Sequence, residues 1–591
     1  MQILDTQDIS DELDKAGFSY PRPQCVRDRW LSLDGPWSSS FDLHMMPDKV
    51  SWEADIMVPF PPEAELSGIA STGYHSVIWY QKRFTLPEDW QDDRVLLHFG
   101  AVDYSAQVWV NDRLVVRHEG GHTPFSADIT DVLREGEQIV TVRAEDDPLK
   151  LDKPRGKQDW EREPHGIWYP RTTGIWQSVW LEPVNDTHIK KLRFTPNVTS
   201  FSVKTSVQVQ GGGEGLSLDI RWTLGERVLV ADTWQLDGDE ITREVYLPDP
   251  GIDDARRHYL WSPEHPTLIH ATFILKRGQT ILDEVQSYTA LRSVAAEDGK
   301  FFLNGRPYFL RLALDQGYWD EGLLAAPNVE ALRKDVELAK AMGFNGVRKH
   351  QKIEDPRYLR LADELGLLIW EEMPSAYAFT PEAVNRLTRE WLEVIERDYN
   401  HPCIVAWVCF NESWGVPDLS LSSKQRHTVH ALYHLTKALD ATRPVVGNDG
   451  WEHVVTDLLT IHDYSRSAET LRARYGTAEA SRLTSQGRLE HGRVTVLPGT
   501  AIADQPIILS EFGGIRFALE GEGWGYQQVD SPEALLEGYR ALVAALPQEG
   551  LAGFCYTQFA DTFQEQNGLL FSNRQPKVAL EELAKATRGG G

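Results

Sequence analysis

Cysteine is scarce: four in 591 residues, Cys25, Cys403, Cys409 and Cys555, with no CxxC spacing. That excludes a disulfide framework and gives no sign of a zinc or redox pair. Three of the four lie in apolar runs, where a reduced cysteine acts as a small buried hydrophobe. No apolar run approaches the roughly 18 residues of a membrane span. Basic residues are outnumbered, 60 Lys and Arg against 88 Asp and Glu, for a net charge of −28. A nucleic-acid binder needs a basic face for phosphates, so that class is set aside. The amino terminus is polar and acidic, without the charged-then-apolar pattern of a signal peptide, and a cytoplasmic setting is expected.

What the chain has in quantity is apolar and aromatic sequence: 41% hydrophobic, 10% aromatic, 20 tryptophans. Such a chain buries a core. Aromatic faces also stack on sugar rings, though they fill cores equally well.

The pattern changes near residue 295. Before it, short alternating stretches such as "AQVWVNDRLVV" and "FSVKTSVQVQ" are separated by turns about every ten residues, which predicts antiparallel sandwiches. One is expected over residues 1–185, a jelly-roll sugar-binding-like domain, and an immunoglobulin-like sandwich over residues 186–293. The glycine-rich "GGGEG" at 211–215 lacks the Lys-Ser/Thr of a phosphate cradle and reads as a turn. "HEGGH" at 118–122 matches a zinc-protease pattern, but its paired glycines oppose the helix that motif needs. It too reads as a turn.

Beyond residue 294, apolar strand candidates alternate with helices whose apolar residues recur every three or four positions. The first helix has Asn328 as its cap and stops at Gly343. Eight such strands predict a C-terminal (β/α)8 TIM barrel over residues 294–591. Several strands end in polar residues, where barrels of this kind build their sites.

Two of those ends carry glutamates 99 positions apart. Glu412 follows "IVAWVCF" on the fourth strand, and Glu511 closes "PIILS" on the seventh. Two carboxylates facing across one mouth are what glycoside hydrolysis requires.

"NES" and "SEFGG" in these settings resemble the acid/base and nucleophile motifs of glycoside hydrolase family 2, which includes β-galactosidases, β-glucuronidases and β-mannosidases. "LDGPW", "WYQKRFTLP", "HFGAVDYSAQVWVND", "GGHTPFSADIT", "TTGIWQSVWLEPV" and "FFLNGRPYFLRLAL" extend the resemblance over nearly the whole chain. It implies a retaining mechanism with Glu412 as acid/base and Glu511 as nucleophile, the carboxyl groups about 5–5.5 Å apart. The charge of Glu511 is expected to favour a protonated Glu412 before attack.

By the same resemblance, Asn411 contacts the sugar 2-hydroxyl, Arg348 in "NGVRKH" keeps the nucleophile ionised, and Tyr464 in "IHDYS" hydrogen-bonds it, with His462 at the same strand end. Asp315 and Gln316 after the first strand, and Gln558, Asp561 and Asn567 after the eighth, are further candidate sugar contacts. Trp370 and Trp414 are either stacking platforms or core.

Two departures bear on the sugar. Where β-glucuronidases have an Asn-x-Lys pair for the substrate carboxylate, this chain reads Glu565-Gln566-Asn567, without lysine. The aspartate that some relatives extend from the jelly roll is replaced near Trp168. A neutral, galactose-like β-glycoside is therefore expected. An α-L-arabinosidase or β-galactofuranosidase, a β-glucuronidase, and a non-catalytic glycan-binding relative are the alternatives. A metal-dependent barrel hydrolase would need an HxH on the first strand, which "FLRLALDQ" lacks. No cofactor and no metal are expected, the partner is a glycoside or oligosaccharide, and a homo-oligomer is left open.

Overall fold

The computed structural model describes residues 19–489, 492–519 and 523–589. The acidic amino-terminal stretch lies outside them. No helix of the described residues is long and apolar enough to cross a membrane.

The first part is a β-sandwich. Its six-stranded sheet runs Ala54–Val58, Gly35–Ser40, Val77–Thr85, Glu137–Glu145, Ser105–Val110 and Arg113–Glu119, and faces a four-stranded sheet centred on Val179–Val184 and Arg94–Phe99. Trp37, Tyr80, Val95, Leu97, Val108 and Val142 fill the space between. The strand Arg113–Glu119 ends inside "HEGGH", and the following residues turn rather than form a helix.

The second part packs a three-stranded sheet on a four-stranded one. Alternation is plain in Leu216–Leu224, whose Leu216, Leu218, Ile220 and Trp222 are buried while Arg221 faces water. Inward-facing Trp222, Phe194 and Phe273 meet across the two sheets, as a two-residue period requires.

The third part is the barrel. Its strands are β1 (Leu310–Asp315), β2 (Gly346–Lys349), β3 (Leu368–Glu372), β4 (Ile404–Val408), β5 (Val445–Val446), β6 (Leu459–His462), β7 (Ile507–Gly513) and β8 (Gly553–Thr557). All pair in parallel, in the order β5-β4-β3-β2-β1-β8-β7-β6. Helices pack outside the ring and strand side chains fill its inside, so β4 is buried at every residue, which explains its unbroken apolar run. The ring's weak seam lies between β5 and β6. There β5 has two residues, and an irregular loop replaces a helix in the connection.

Local rules place the helices. Asn328 accepts from the Ala331 amide, capping Val329–Ala341, and Gly343 follows with φ +86°. Thr380 caps Pro381–Asp398, whose Leu387, Trp391, Val394 and Ile395 recur at helical spacing and face inward. Burying each such side chain stabilises the fold by about 1.5–3 kcal/mol. The outcome is a rigid ring that delivers eight strand ends to one mouth.

Candidate active site

β4 ends at Val408, and the chain turns sharply to present Asn411 and Glu412. Glu412 and Ser413 both have positive φ, +51° and +61°. Non-glycine residues adopt that region only where surroundings impose it. Here the Glu412 amide donates to the Asp449 carbonyl (3.0 Å), the Ser413 amide to Asn448 Oδ1 (3.0 Å), and the Ser413 hydroxyl to Glu452 (2.7 Å). The loop after β5 therefore sets the angle at which Glu412 enters the mouth.

β7 delivers Glu511 from the opposite side. An oxygen of Glu412 and one of Glu511 lie within 4.8 Å of each other, and a nitrogen of His462 lies within the same distance of both. Their surroundings differ. Glu511 is buried, with Oε1 2.9 Å from Arg348 Nη1 and Oε2 accepting from the Tyr464 hydroxyl at 2.6 Å. Burial alone would raise its carboxyl, but His462, Arg348 and Tyr464 outweigh that and hold it below the ordinary carboxylate range. Glu412 is half-buried and accepts at Oε1 from His462 Nδ1 (2.7 Å).

Arg348, fully buried at the end of β2, organises the floor. Besides Glu511 it meets Glu372 Oε2 (2.6 Å), Asp449 Oδ2 (2.6 Å) and Asn411 Oδ1 (2.6 Å). One guanidinium among three carboxylates is held charged. Glu372 is brought down to about 2 because Arg348 and His350 outweigh the effect of burial. The Asn411 carbonyl oxygen is occupied by Arg348, while Asn411 Nδ2 has no partner among the described residues. His462 contacts Asp449 Oδ2 at 2.8 Å through Nε2. Burial works against its charged form, but Glu511 and Asp449 prevail and raise it to about 10, so it is an imidazolium at neutral pH.

The remaining candidates are distributed unevenly. Gln316 Nε2 donates to Gln558 Oε1 (2.8 Å), Gln558 Nε2 to Asn567 Oδ1 (2.7 Å), and Asn567 Nδ2 to Glu565 Oε1 (3.2 Å). These form one polar string along the ends of β8 and β1, and Gln316 Oε1 has no partner among the described residues. Asp315 is paired with Lys349 (2.8 Å) and Asp561 with Lys577 (2.7 Å). Trp370 is wholly buried in the barrel core and offers no open face. Trp414 is half-buried in an aromatic wall with Trp168 and Tyr377.

Several residues that the sequence reading did not name also stand here. Asp449 and Glu372 were visible as polar strand ends, in "NDG" and "EEMP", but nothing in the spacing indicated that they share an arginine. Tyr526 stacks on Tyr464 at 3.5 Å between ring centroids. The jelly roll contributes most of what was missed. Its loop at 153–159 docks on the barrel through the Arg155 and Gly156 amides, which donate to the Ser375 carbonyl (3.0 and 3.2 Å). Tyr169 from the same part donates to Glu565 Oε2 at 2.5 Å.

Comparison with known proteins agrees with this architecture. The profile of the glycosyl hydrolases family 2 sugar binding domain matches residues 18–181, and that of the family's TIM barrel domain matches residues 294–589. A β-galactosidase of Thermoanaerobacter pseudethanolicus is 31% identical over 386 residues, 63% of this chain and 49% of that protein. A β-glucuronidase of Rattus norvegicus is 27% identical over 571 residues, 87% of this chain and 83% of the other. The crystal structure of a Bacteroides uniformis β-glucuronidase superposes with a TM-score of 0.76 at 21% identity, covering 95% of this chain and 69% of that one. The chain thus spans about half the length of the first of these relatives and most of the second. With both domain profiles matched in order, the chain belongs to glycoside hydrolase family 2.

Proposed function

We propose that the protein is a retaining exo-β-glycosidase that works by double displacement. The observation that carries this reading is the pair Glu412 and Glu511, with carboxylate oxygens within 4.8 Å of each other and unlike surroundings. An inverting pair would stand about 6.5–9.5 Å apart to admit a water. Glu511, held ionised by Arg348 and Tyr464, attacks the anomeric carbon. As that bond forms, the bond to the leaving oxygen breaks and Glu412 passes its proton to that oxygen. The resulting ester removes the charge of Glu511. Glu412 then takes a proton from water, the hydroxide oxygen bonds to the anomeric carbon, and Glu511 leaves as a carboxylate. Asn411 Nδ2 supplies an open donor beside the reacting centre.

For the sugar, a neutral β-galactoside-like substrate is preferred. The relatives include both a β-galactosidase and β-glucuronidases. At the place where a uronate carboxylate would need a cation, the barrel of this chain presents Glu565 and Asn567, hydrogen-bonded to each other (3.2 Å). The test is stereochemical. Proton NMR of the first product from an aryl β-glycoside should show the β-anomer before mutarotation, whereas α-anomer as the first product would exclude the double displacement.

A further inference from the structure

Lys157 stands apart from every other cation near the mouth. It is 4% exposed, yet among the described residues its ammonium has neither an ion pair nor a hydrogen bond. Its contacts are two aromatic faces: Nζ is 5.3 Å from the Tyr169 ring centroid and 5.4 Å from that of Trp414. Cation–π contact offsets part of the desolvation of an ammonium, but it leaves the N–H donors without acceptors.

The charges around it point to what those donors await. Burial pulls the Lys157 ammonium below the ordinary lysine value, and the carboxylates of Glu565, Glu511, Glu412 and Glu372, in that order, oppose the fall. Two of the four already have Arg348, and Glu412 has His462. Among the described residues the Glu565 carboxylate has only neutral partners, the Tyr169 hydroxyl and the Asn567 amide. Tyr169 joins the two groups: its ring carries the ammonium, and its hydroxyl donates to Glu565. The ammonium and the carboxylate stay too far apart for a direct ion pair, and together they carry no net charge.

We propose that Lys157 and Glu565 form a neutral-sugar subsite, in which a substrate hydroxyl accepts from Lys157 and donates toward Glu565. This rests on the glycosidase reading above and extends it: the jelly roll, through residue 157, helps to select the sugar. A hydroxyl can serve both partners at once because it accepts and donates. A uronate carboxylate could accept from Lys157 only by placing a second negative charge beside Glu565. Lys157 is therefore a substrate-contacting specificity residue that takes no part in proton transfer.

The test uses the full chain with an aryl β-galactoside and its monodeoxy analogues. Lys157→Met should lower kcat/KM on the parent sugar by about 10- to 100-fold, the range for losing a charged hydrogen bond. On the analogue lacking the contacted hydroxyl, the same substitution should change little, and Glu565→Gln should single out the same analogue. Lys157→Arg should recover part of the activity. A loss that is equal on every analogue would reduce Lys157 to a structural clamp and overturn the proposal. So would wild-type preference for an aryl β-glucuronide that Lys157→Met abolishes. If Lys157→Met does not fold by circular dichroism, Lys157→Arg and Glu565→Gln decide alone: different analogues singled out by the two would overturn it. Wild-type inactivity on every aryl glycoside would instead defeat the glycosidase reading itself.

Discussion

Arg348 Nη1 lies 2.9 Å from Glu511 Oε1 while the same guanidinium reaches Asn411 Oδ1 at 2.6 Å. One buried side chain thus fixes the carboxylate on β7 relative to the turn that carries Glu412 after β4. The separation of the two carboxylates follows from this bridge and from the barrel's closure, not from either strand alone.

Removing the carboxylate of Glu511 should abolish turnover. Glu511→Ala is expected to cut kcat on an aryl β-glycoside by at least about 10³-fold, since the proposed mechanism forms its ester on Glu511. Circular dichroism should match wild type, because Arg348 keeps Glu372 and Asp449. Near-normal kcat would assign the nucleophile elsewhere.

Glu412→Ala should discriminate by leaving group. Aryl glycosides with acidic phenols need little protonation and should retain most of the first step, whereas alkyl or weakly acidic aryl glycosides should lose about 10²–10⁴-fold. A Brønsted plot of kcat/KM against leaving-group pKa would steepen in the variant. An unchanged slope would remove Glu412 from the acid role.

Arg348→Leu should be strongly destabilising. It leaves Glu372, Asp449 and Glu511 buried and without their shared cation. Breaking a buried ion pair in this way costs about 3–5 kcal/mol, so a clear fall in the urea midpoint is expected. Arg348→Lys should recover little, because one ammonium cannot match the fork that meets four oxygens. Full recovery by lysine would mean that charge alone suffices.

His462 gives a pH signature. Its folded value of about 10 lies above the usual value near 6.5. The folded state therefore holds an extra proton, and the stabilisation is complete below about pH 6.5. It should decline from there at up to about 1.4 kcal/mol per pH unit and vanish above about 10. Urea titrations between pH 6 and 10 should show this decline in wild type and a flatter profile in His462→Gln. Equal slopes would place the charge on another group.

The docking of the jelly-roll loop can be tested at Gly156, whose φ is +60° and whose added Cβ would lie 2.1 Å from the Gln351 carbonyl oxygen. Both strain and clash argue that Gly156→Ala displaces the loop at 153–159. Activity should fall mainly through KM, with kcat reduced less, because Glu412 and Glu511 keep their own supports. An unaltered KM would show that the loop does not shape the mouth.

Much of this protein was legible along the chain. The period-two stretches before residue 295 and the helical periods after it predict the two sandwiches and the barrel, because binary patterning reflects which face each element buries. Cap chemistry located helix starts: Asn328 and the Gly343 stop stand where the sequence placed them. Glu412 and Glu511 were conspicuous because a charge ending a buried apolar strand is costly unless something requires it.

What a chain order cannot contain is convergence. Arg348, Glu372, Asp449 and Glu511 meet because a closed barrel brings four strand ends to one point, and no local rule encodes that register. Asp315 and Asp561, candidate sugar contacts in sequence, pair in the fold with Lys349 and Lys577, partners no local rule names. Lys157 carries no motif at all, and it reaches the barrel mouth because its loop docks there, the Arg155 and Gly156 amides on the Ser375 carbonyl and the Tyr377 hydroxyl on the Gly156 carbonyl. Sequence by itself determined the elements and the two carboxylates, since those depend on local propensity and burial pattern. Tertiary structure alone decided which charges neutralise one another and which cation is left open to substrate, because Coulomb and hydrogen-bond partners are set by distance in space.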